Sequence, residues 1–444
     1  MPFGSPVPFA EPADLRDLPS PYYTESHHQL RKAARAWAEQ HIMEVAYEWE
    51  EETKTVDPKV YQQAADDGIV TCLAFGTKIP RKWAKQDGTV FGGVKVEEWD
   101  GFHDMILIDE LHRNGSLGVG QGLFGGMQIG KLRAPGVEAG CPPIYHYGSQ
   151  ELQDRVLPEI MSGKKRICLA ITEPEAGSDV KNLSTEAKLS PDGKHYIVNG
   201  TKKWITNGVY SDYFTTAVRT AGQAGDAKGI SFLLIPNGEG VSRRRMFMSG
   251  QHCAGTTYLT FEDVKVPVEN LIGKEHEGFK MIMSNFNHER LMICYVGHRL
   301  ARICIEDAIK HALRRKVFGK KLIDSEVIRS KLAQMSREVE AQQAWIESIV
   351  FANERLAPAD ANQRLGGLTA LLKAHVSMTL ELTAREAVQI LGGIAHTRGG
   401  VGERIERIRR DAKGVAIPGG SIEIMEDFGI RHEIKRATVA GTKL

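Results

Sequence analysis

Cysteine is scarce in this sequence: six in 444 residues, with no C-x-x-C pair among them. Cys72, Cys141, Cys168, Cys253, Cys294 and Cys304 stand singly, which argues against a disulfide framework or a structural zinc site and fits a reducing compartment. Long apolar runs are also missing, and none approaches the roughly 20 residues a membrane-spanning helix needs. Charge of one sign is not in excess. The net charge of +1 gives no electrostatic pull toward nucleic acid or an anionic membrane. The basic runs Arg243 to Arg245 and Arg407 to Arg410 read as solvated faces. No G-x-G-x-x-G string lies between a strand and a helix, so a Rossmann dinucleotide site is not expected. Repeats and low-complexity tracts are absent. The opening stretch, Met1 to Pro21, is proline-rich and carries Glu11, Asp14 and Asp17. It resembles neither a secretory signal nor a basic presequence. The closing Thr442-Lys443-Leu444 differs by one residue from a peroxisomal tripeptide, so the expected location is cytoplasmic or peroxisomal, not secreted.

The remaining composition, 42% apolar and 25% charged, is that of a soluble globular chain long enough for two or three domains. Residues 1–25 read as a flexible segment. Leu30, Ala34, Trp37, Val45 and Trp49 then recur at helical spacing, and helical patterns follow at Lys59 to Asp67, Asp104 to Arg113 and Gln150 to Met161. The span 26–165 is therefore expected to be a helical domain. Short β-rich runs fill 166–272: Ile167 to Thr172, His195 to Val198, Tyr213 to Arg219, Ile230 to Ile235 and Thr257 to Phe261. Pro191-Asp192-Gly193 marks a hairpin between two strands. From 273 to 444 helical period returns, with Phe279, Ile282, Phe286, Ile293, Val296 and Leu300 on one stripe and further helices over Ser325 to Asn353 and Leu365 to Leu391. Long helices joined by short loops predict a bundle. The fold class is thus α+β multidomain, in the order helical, β, helical.

Six segments carry chemistry. They are Thr172-Glu173-Pro174-Glu175-Ala176-Gly177-Ser178-Asp179, Lys203-Trp204-Ile205-Thr206-Asn207-Gly208, Phe261 to Pro267, Arg315-Lys316-Val317-Phe318-Gly319, Gln389-Ile390-Leu391-Gly392-Gly393 and Arg410-Asp411-Ala412-Lys413. A flavin ring needs a flat apolar seat and hydrogen-bond donors at its edge. Trp204 offers the seat and Thr206 a hydroxyl two residues on, and in a regular strand both would face one side. Alone, each is equally an ordinary strand residue.

In order and spacing these segments resemble the acyl-CoA dehydrogenase family over about residues 26 to 437. The resemblance implies an N-terminal helical domain, a middle β-barrel-like domain, a C-terminal four-helix bundle and FAD as cofactor. It implies that Thr172, Ser178, Trp204 and Thr206 contact the cofactor, with Ser178 also on the pantetheine arm of a thioester substrate. Arg315 matches an arginine that reaches the FAD pyrophosphate from a neighbouring subunit, where Phe318, Gln389, Gly392 and Gly393 would also approach the cofactor. The residue-level alternative makes Arg315 a cation at a helix C-terminus, where positive charge is favoured anyway.

Most family members place a catalytic glutamate shortly after the Arg-Asp-Ala-Lys segment. Here that position is Gly419, within Ile417-Pro418-Gly419-Gly420-Ser421. A smaller branch, including isovaleryl-CoA and long-chain acyl-CoA dehydrogenases, takes its glutamate from a Glu-Arg-Leu run upstream. Asn287-His288-Glu289-Arg290-Leu291 resembles that run and makes Glu289 the expected base. Periodicity supports it independently, since Phe286, Glu289, Ile293 and Val296 share one helical face. A carboxyl there should be desolvated and its pKa raised, as a base for a thioester α-proton requires. The alternative is a structural pairing with a buried arginine. Gly419 keeps a backbone N–H able to bind the thioester carbonyl as enolate charge grows. Asn287 stands where the family commonly has Asp, and Asn287 and Arg290 are expected to contact substrate.

The expected reaction is FAD-dependent α,β-dehydrogenation of an acyl thioester, on CoA or a carrier protein, to the trans-2-enoyl product. The electron acceptor is an electron-transferring flavoprotein or O2, and the assembly a homodimer or homotetramer. No metal, nucleic acid or membrane enters. Two other readings share the fold: an O2-using flavin oxidase or monooxygenase, motivated by the absent glutamate, and a non-catalytic DNA-associated protein, which the near-zero charge disfavours.

Overall fold

A computed structural model describes residues 3–126 and 141–439, apart from the side chains at 142, 284–287, 358, 359, 362 and 439. The C-terminal tripeptide, part of the stretch Arg133 to Pro143, and the side chains of Phe286 and Asn287 therefore lie outside the described residues.

The first layer is helical: α1 (Glu25–Ala38), α2 (Pro58–Asp67), α3 (Ile69–Phe75), α4 (Gly101–Leu111), α5 (Leu117–Gly120), α6 (Cys141–Tyr147) and α7 (Gln150–Met161). Local chemistry sets the boundaries. Asp57 accepts the Lys59 N–H at 2.8 Å with Pro58 in the first turn, and Gly68 ends α2 at φ 93°. The stripe expected to run from Leu30 to Trp49 on one helix is instead continued past Ala38 by π-helical turns at Glu39–Met43 and Glu48–Thr53. The wider turns shift the phase and bring Glu50 inside, where it accepts the backbone N–H groups of His252 (2.5 Å) and Cys253 (3.1 Å).

The opening segment departs from its expected flexibility. Residues Ala13–Arg16 form a 3-10 turn, and Glu11 is buried among arginines. It accepts from Arg35 Nη2 at 3.3 Å and from Arg113 Nη2 at 3.0 Å, and lies 3.6 Å from Arg299 Nη2. Three cations hold its carboxyl down at about 2. A buried carboxylate with this many partners ties the segment down, which no count of prolines reveals.

The second layer is an eight-stranded sheet of β1 (Ile167–Ala170), β2 (Glu186–Leu189), β3 (His195–Ile205), β4 (Tyr213–Arg219), β5 (Ile230–Pro236), β6 (Val241–Arg245), β7 (Thr257–Pro267) and β8 (Leu271–Ile272). Its path is β6-β7-β3-β2-β4-β5-β8, with β1 parallel to β4. The β2–β3 hairpin turns at Pro191-Asp192-Gly193, where Gly193 takes φ 69°. Val198, Phe214, Leu233, Ile235, Leu259 and Phe261 form its own core.

The third layer holds α8 (Gly278–Arg314), α9 (Glu326–Arg355), α10 (Pro358–Leu391), α11 (Glu403–Ala416) and α12 (Ile422–Val439). A two-strand hairpin, β9 (Lys316–Val317) and β10 (Lys320–Lys321), joins α8 to α9. Helix α10 lies against α8, α9, α11 and α12 and so forms the centre of the bundle. Among the described residues no helix is long and apolar enough to cross a membrane.

Candidate active site

Glu289 lies in the second quarter of α8, between the buried residues His288 and Arg290. His288 Nε2 sits 3.1 Å from Asp104 Oδ2 on α4 and fixes the rotation of this turn. The Glu289 side chain is half-buried, and its Oε2 is enclosed with no hydrogen-bond partner among the described residues. Burial pushes the carboxyl up to about 7, while the nearby charges of Arg290 and Lys373 pull the other way. An enclosed carboxylate oxygen without a donor costs stability, so this is a position held for something other than folding.

The turn after α11 packs on the same stretch of α8. Gly419 takes φ 69° and Gly420 φ 109°. A Cβ on Gly419 would stand 2.9 Å from Ile293 Cδ1 and 3.5 Å from Arg290 Cγ, so the turn rests directly on the Glu289 stretch of α8. Neither the backbone conformation nor the space admits a glutamate at 419 without rearrangement. Arg290 Nε donates to the Gly419 carbonyl at 3.0 Å, and its guanidinium lies 5.2 Å from the Phe428 ring. Lys373, buried on α10, donates to the carbonyls of Ala416 and Gly420, each at 2.6 Å. No hydrogen bond among the described residues uses the Gly419 N–H. Arg290, expected to touch substrate, thus has its Nε directed at the turn. The side chain of Asn287 lies outside the described residues.

Thr172, Trp204 and Thr206 come together at the end of the sheet. The Lys203 N–H donates to the Thr172 carbonyl at 2.9 Å. Trp204 is 43% exposed, at φ 60° on a bulge where the β3–β7 register slips between Lys202 and Ile205. Thr206 follows the last residue of β3. The expectation that Trp204 and Thr206 share one face through regular alternation is therefore corrected, because the bulge breaks the period of two before Thr206 is reached. Thr206 is placed by other means. Its Cγ2 lies 3.1 Å from where a Cβ on Gly125 would be. Its neighbour Asn207, at φ 63°, donates to Gln121 O (2.8 Å) and Ala254 O (3.1 Å) and accepts the Gly126 N–H (2.8 Å).

A second anchor holds Thr172. Lys202 is fully buried and donates to Ile171 O (3.0 Å) and Glu173 Oε1 (2.7 Å). Glu173 also accepts the N–H groups of Ser184 (2.7 Å) and Thr185 (3.0 Å). The sequence reading assigned no role to Asn207, Glu173, Lys202 or Lys373, although Glu173 and Asn207 lie inside the quoted segments. The available signal was charged or amide residues inside otherwise apolar strings. Ser178 is exposed beside Gly177, where a Cβ would meet nothing.

Arg315, Phe318, Gln389, Gly392 and Gly393 lie on the outer surface. Phe318 is fully exposed at the tip of the β9–β10 turn, at φ 49°. Gly392 takes φ 65°, and a Cβ on it or on Gly393 would meet nothing within 4 Å. Arg315 caps α8, its N–H reaching His311 O at 2.9 Å. No hydrogen bond, ion pair or ring contact among the described residues joins this group to Trp204 or Thr206.

Three family models match in succession: the acyl-CoA dehydrogenase N-terminal domain over 24–164, the middle domain over 168–264 and the C-terminal domain over 276–433. Acyl-CoA dehydrogenase apdG of Emericella nidulans is 45% identical over 97% of this chain and 96% of its own length. Acyl-CoA dehydrogenase AFT10-1 of Alternaria alternata is 42% identical over 98% and 97% respectively. The crystal structure of a probable acyl-CoA dehydrogenase from Mycobacterium abscessus superposes with a TM-score of 0.79 at 31% identity, covering 93% of this chain and 100% of that one. With helical, β and helical domains in the same order, the chain belongs to the acyl-CoA dehydrogenase family of FAD-dependent oxidoreductases.

Proposed function

We propose that this chain dehydrogenates an acyl thioester between Cα and Cβ, with Glu289 as the base. The observation that carries this reading is the enclosed Oε2 of Glu289, without a hydrogen-bond partner among the described residues, on the stretch of α8 that packs against the Gly419 turn. The residues present fit a flavin. Exposed Trp204 with Thr172 and Thr206 would hold the ring, while Arg315, Phe318, Gln389 and the open backbone of Gly392-Gly393 would meet the cofactor of a second subunit. Bound FAD supplies a two-electron acceptor for the hydride that leaves Cβ.

The chain's own groups do the remainder. Glu289 takes the α-proton, breaking the Cα–H bond, and the electron pair released forms the Cα=Cβ bond as the Cβ–H pair departs. A carboxyl near 7 is half-ionised at neutral pH and still basic enough to accept a proton in the transition state. The Gly419 N–H donates to the thioester carbonyl oxygen as negative charge builds there. Arg290 and Lys373 hold that turn against α8 through its carbonyls. The enoyl thioester carries away neither electron, so an electron-transferring flavoprotein is the proposed acceptor. CoA is the proposed carrier. The O2-using alternative was motivated by the missing glutamate at 419, and a carboxyl at 289 removes that motive.

The test is anaerobic mixing of FAD-loaded protein with a series of acyl-CoAs. Wild type should lose its flavin absorbance with at least one of them. Glu289→Gln should bind flavin and substrate yet reduce at least ~100-fold more slowly, the usual span for loss of a general base. Equal reduction by both proteins would remove Glu289 from its role.

A further inference from the structure

Lys373 is, with Lys202, a fully buried lysine among the described residues, and proton abstraction as described requires no lysine. An ammonium has three donors. Two are spent on the carbonyls of Ala416 and Gly420, which bracket the turn carrying Gly419. No other hydrogen bond among the described residues uses the third. A cation taken out of water needs a counter-charge, since carbonyl dipoles offset only part of the desolvation cost.

The charged and titratable groups that act on it come from two helices: Glu289, Arg290 and Cys294 on α8 and Glu423 on α12. Burial draws the lysine down to about 8. Cys294, Glu289 and Glu423 raise it and Arg290 lowers it further. The interaction is mutual, because Lys373 and Arg290 both favour the ionised form of Glu289. Arg290 grips the same turn from the α8 side through Gly419 O at 3.0 Å. Two buried cations on two helices therefore clasp one five-residue turn, and the carboxyl of Glu289 interacts with both.

Resting on the function proposed above, we infer that Lys373 is a positioning residue for the proton transfer. It clasps the 416–420 turn so that the Gly419 N–H is held toward the thioester whose α-proton Glu289 takes. A lysine that merely closed the end of α11 would affect folding and leave the exchange rate of folded, flavin-loaded protein unchanged.

The probe is a series of acyl-CoAs with sulfur in place of the β-carbon. These have no Cβ–H to give up, so exchange of their α-hydrogens in D2O, followed by mass spectrometry, reports proton abstraction without hydride loss. FAD-loaded wild type should exchange with an acid limb near pH 7. Lys373→Met should retain flavin and probe binding, lose tenfold or more in exchange at saturating probe, and move the limb upward by about one pH unit. Should Met not give soluble yellow protein, Lys373→Gln replaces it, keeping an amide donor for the carbonyls without the charge, and the same upward shift is expected. An unmoved limb with an unchanged rate in the variant, beside an active wild type, overturns the role of Lys373 and leaves the function standing. Absence of exchange in wild type with every probe refutes the function and takes the lysine's role with it.

Discussion

Replacing Glu289 by Gln also tests the structure without any substrate. The carboxyl rises from its ordinary 4.5 to about 7 on burial. Converted at about 1.4 kcal/mol per pH unit, the ionised form costs the fold about 3 kcal/mol. The sign follows from linkage. Below pH 4.5 the group is protonated in both states and carries no penalty. As pH rises toward 7 the unfolded chain ionises first and the folded protein loses stability, and above 7 the penalty is full. Gln has nearly the same shape and never ionises. The variant should therefore gain about 1 kcal/mol over wild type at pH 5 and about 3 kcal/mol at pH 8.5. Urea titrations of the flavin-loaded proteins, followed by far-UV circular dichroism and by flavin fluorescence, measure the difference at each pH. Equal stabilities at pH 5 and 8.5, or a variant weaker than wild type at pH 8.5, would show that the carboxyl is solvated or paired and refute the argument from burial.

Three further outcomes follow from the site. Lys202→Met leaves the buried Glu173 carboxylate without its cation, and the loss expected is about 3–5 kcal/mol, read as a lower urea midpoint. Gly419→Ala forces a side chain into positive φ against Ile293 Cδ1, so stability should fall by about 1–3 kcal/mol and thioester turnover should fall with it. Phe318→Ala removes a ring that is fully exposed among the described residues, so urea stability of the flavin-free protein should stay within about 0.5 kcal/mol while flavin is lost faster on dilution. Unchanged flavin retention in that variant would separate Phe318 from the cofactor.

Where the chain's signals are local, the sequence was enough to read the elements. Helix α7 spans the expected Gln150 to Met161, strand β4 the expected Tyr213 to Arg219, and the Pro-Asp-Gly turn joins β2 to β3. Each depends on a cap, an alternation or a turn residue within a few positions. The burial of the Glu289 carboxyl was legible for a related reason, as an acid on an apolar helical stripe. What escaped depends on distant partners. The bulge at Trp204 is set by pairing with β7, the anchoring of Thr206 by Asn207 contacts more than forty residues away in sequence, and the clasp of Lys373 by a turn that follows another helix. Arg290 was read as a substrate contact because the motif it sits in touches substrate, yet its Nε is spent on a backbone carbonyl. Periodicity does not report the destination of a long cationic side chain.

Glu11 shows how far the first dozen residues reach. Its carboxyl neutralises arginines from α1, the stretch after α4, and α8, while Ser5 donates to Glu306 on α8 at 2.8 Å. Trimming the chain past Glu11 would remove one of the carboxylates shared by Arg35, Arg113 and Arg299 at the junction of the first and last helical layers, leaving Glu110 and Asp109 to hold them. A fusion partner placed close to Ser5 would crowd the same junction. Affinity handles for this protein therefore do not belong beside Ser5.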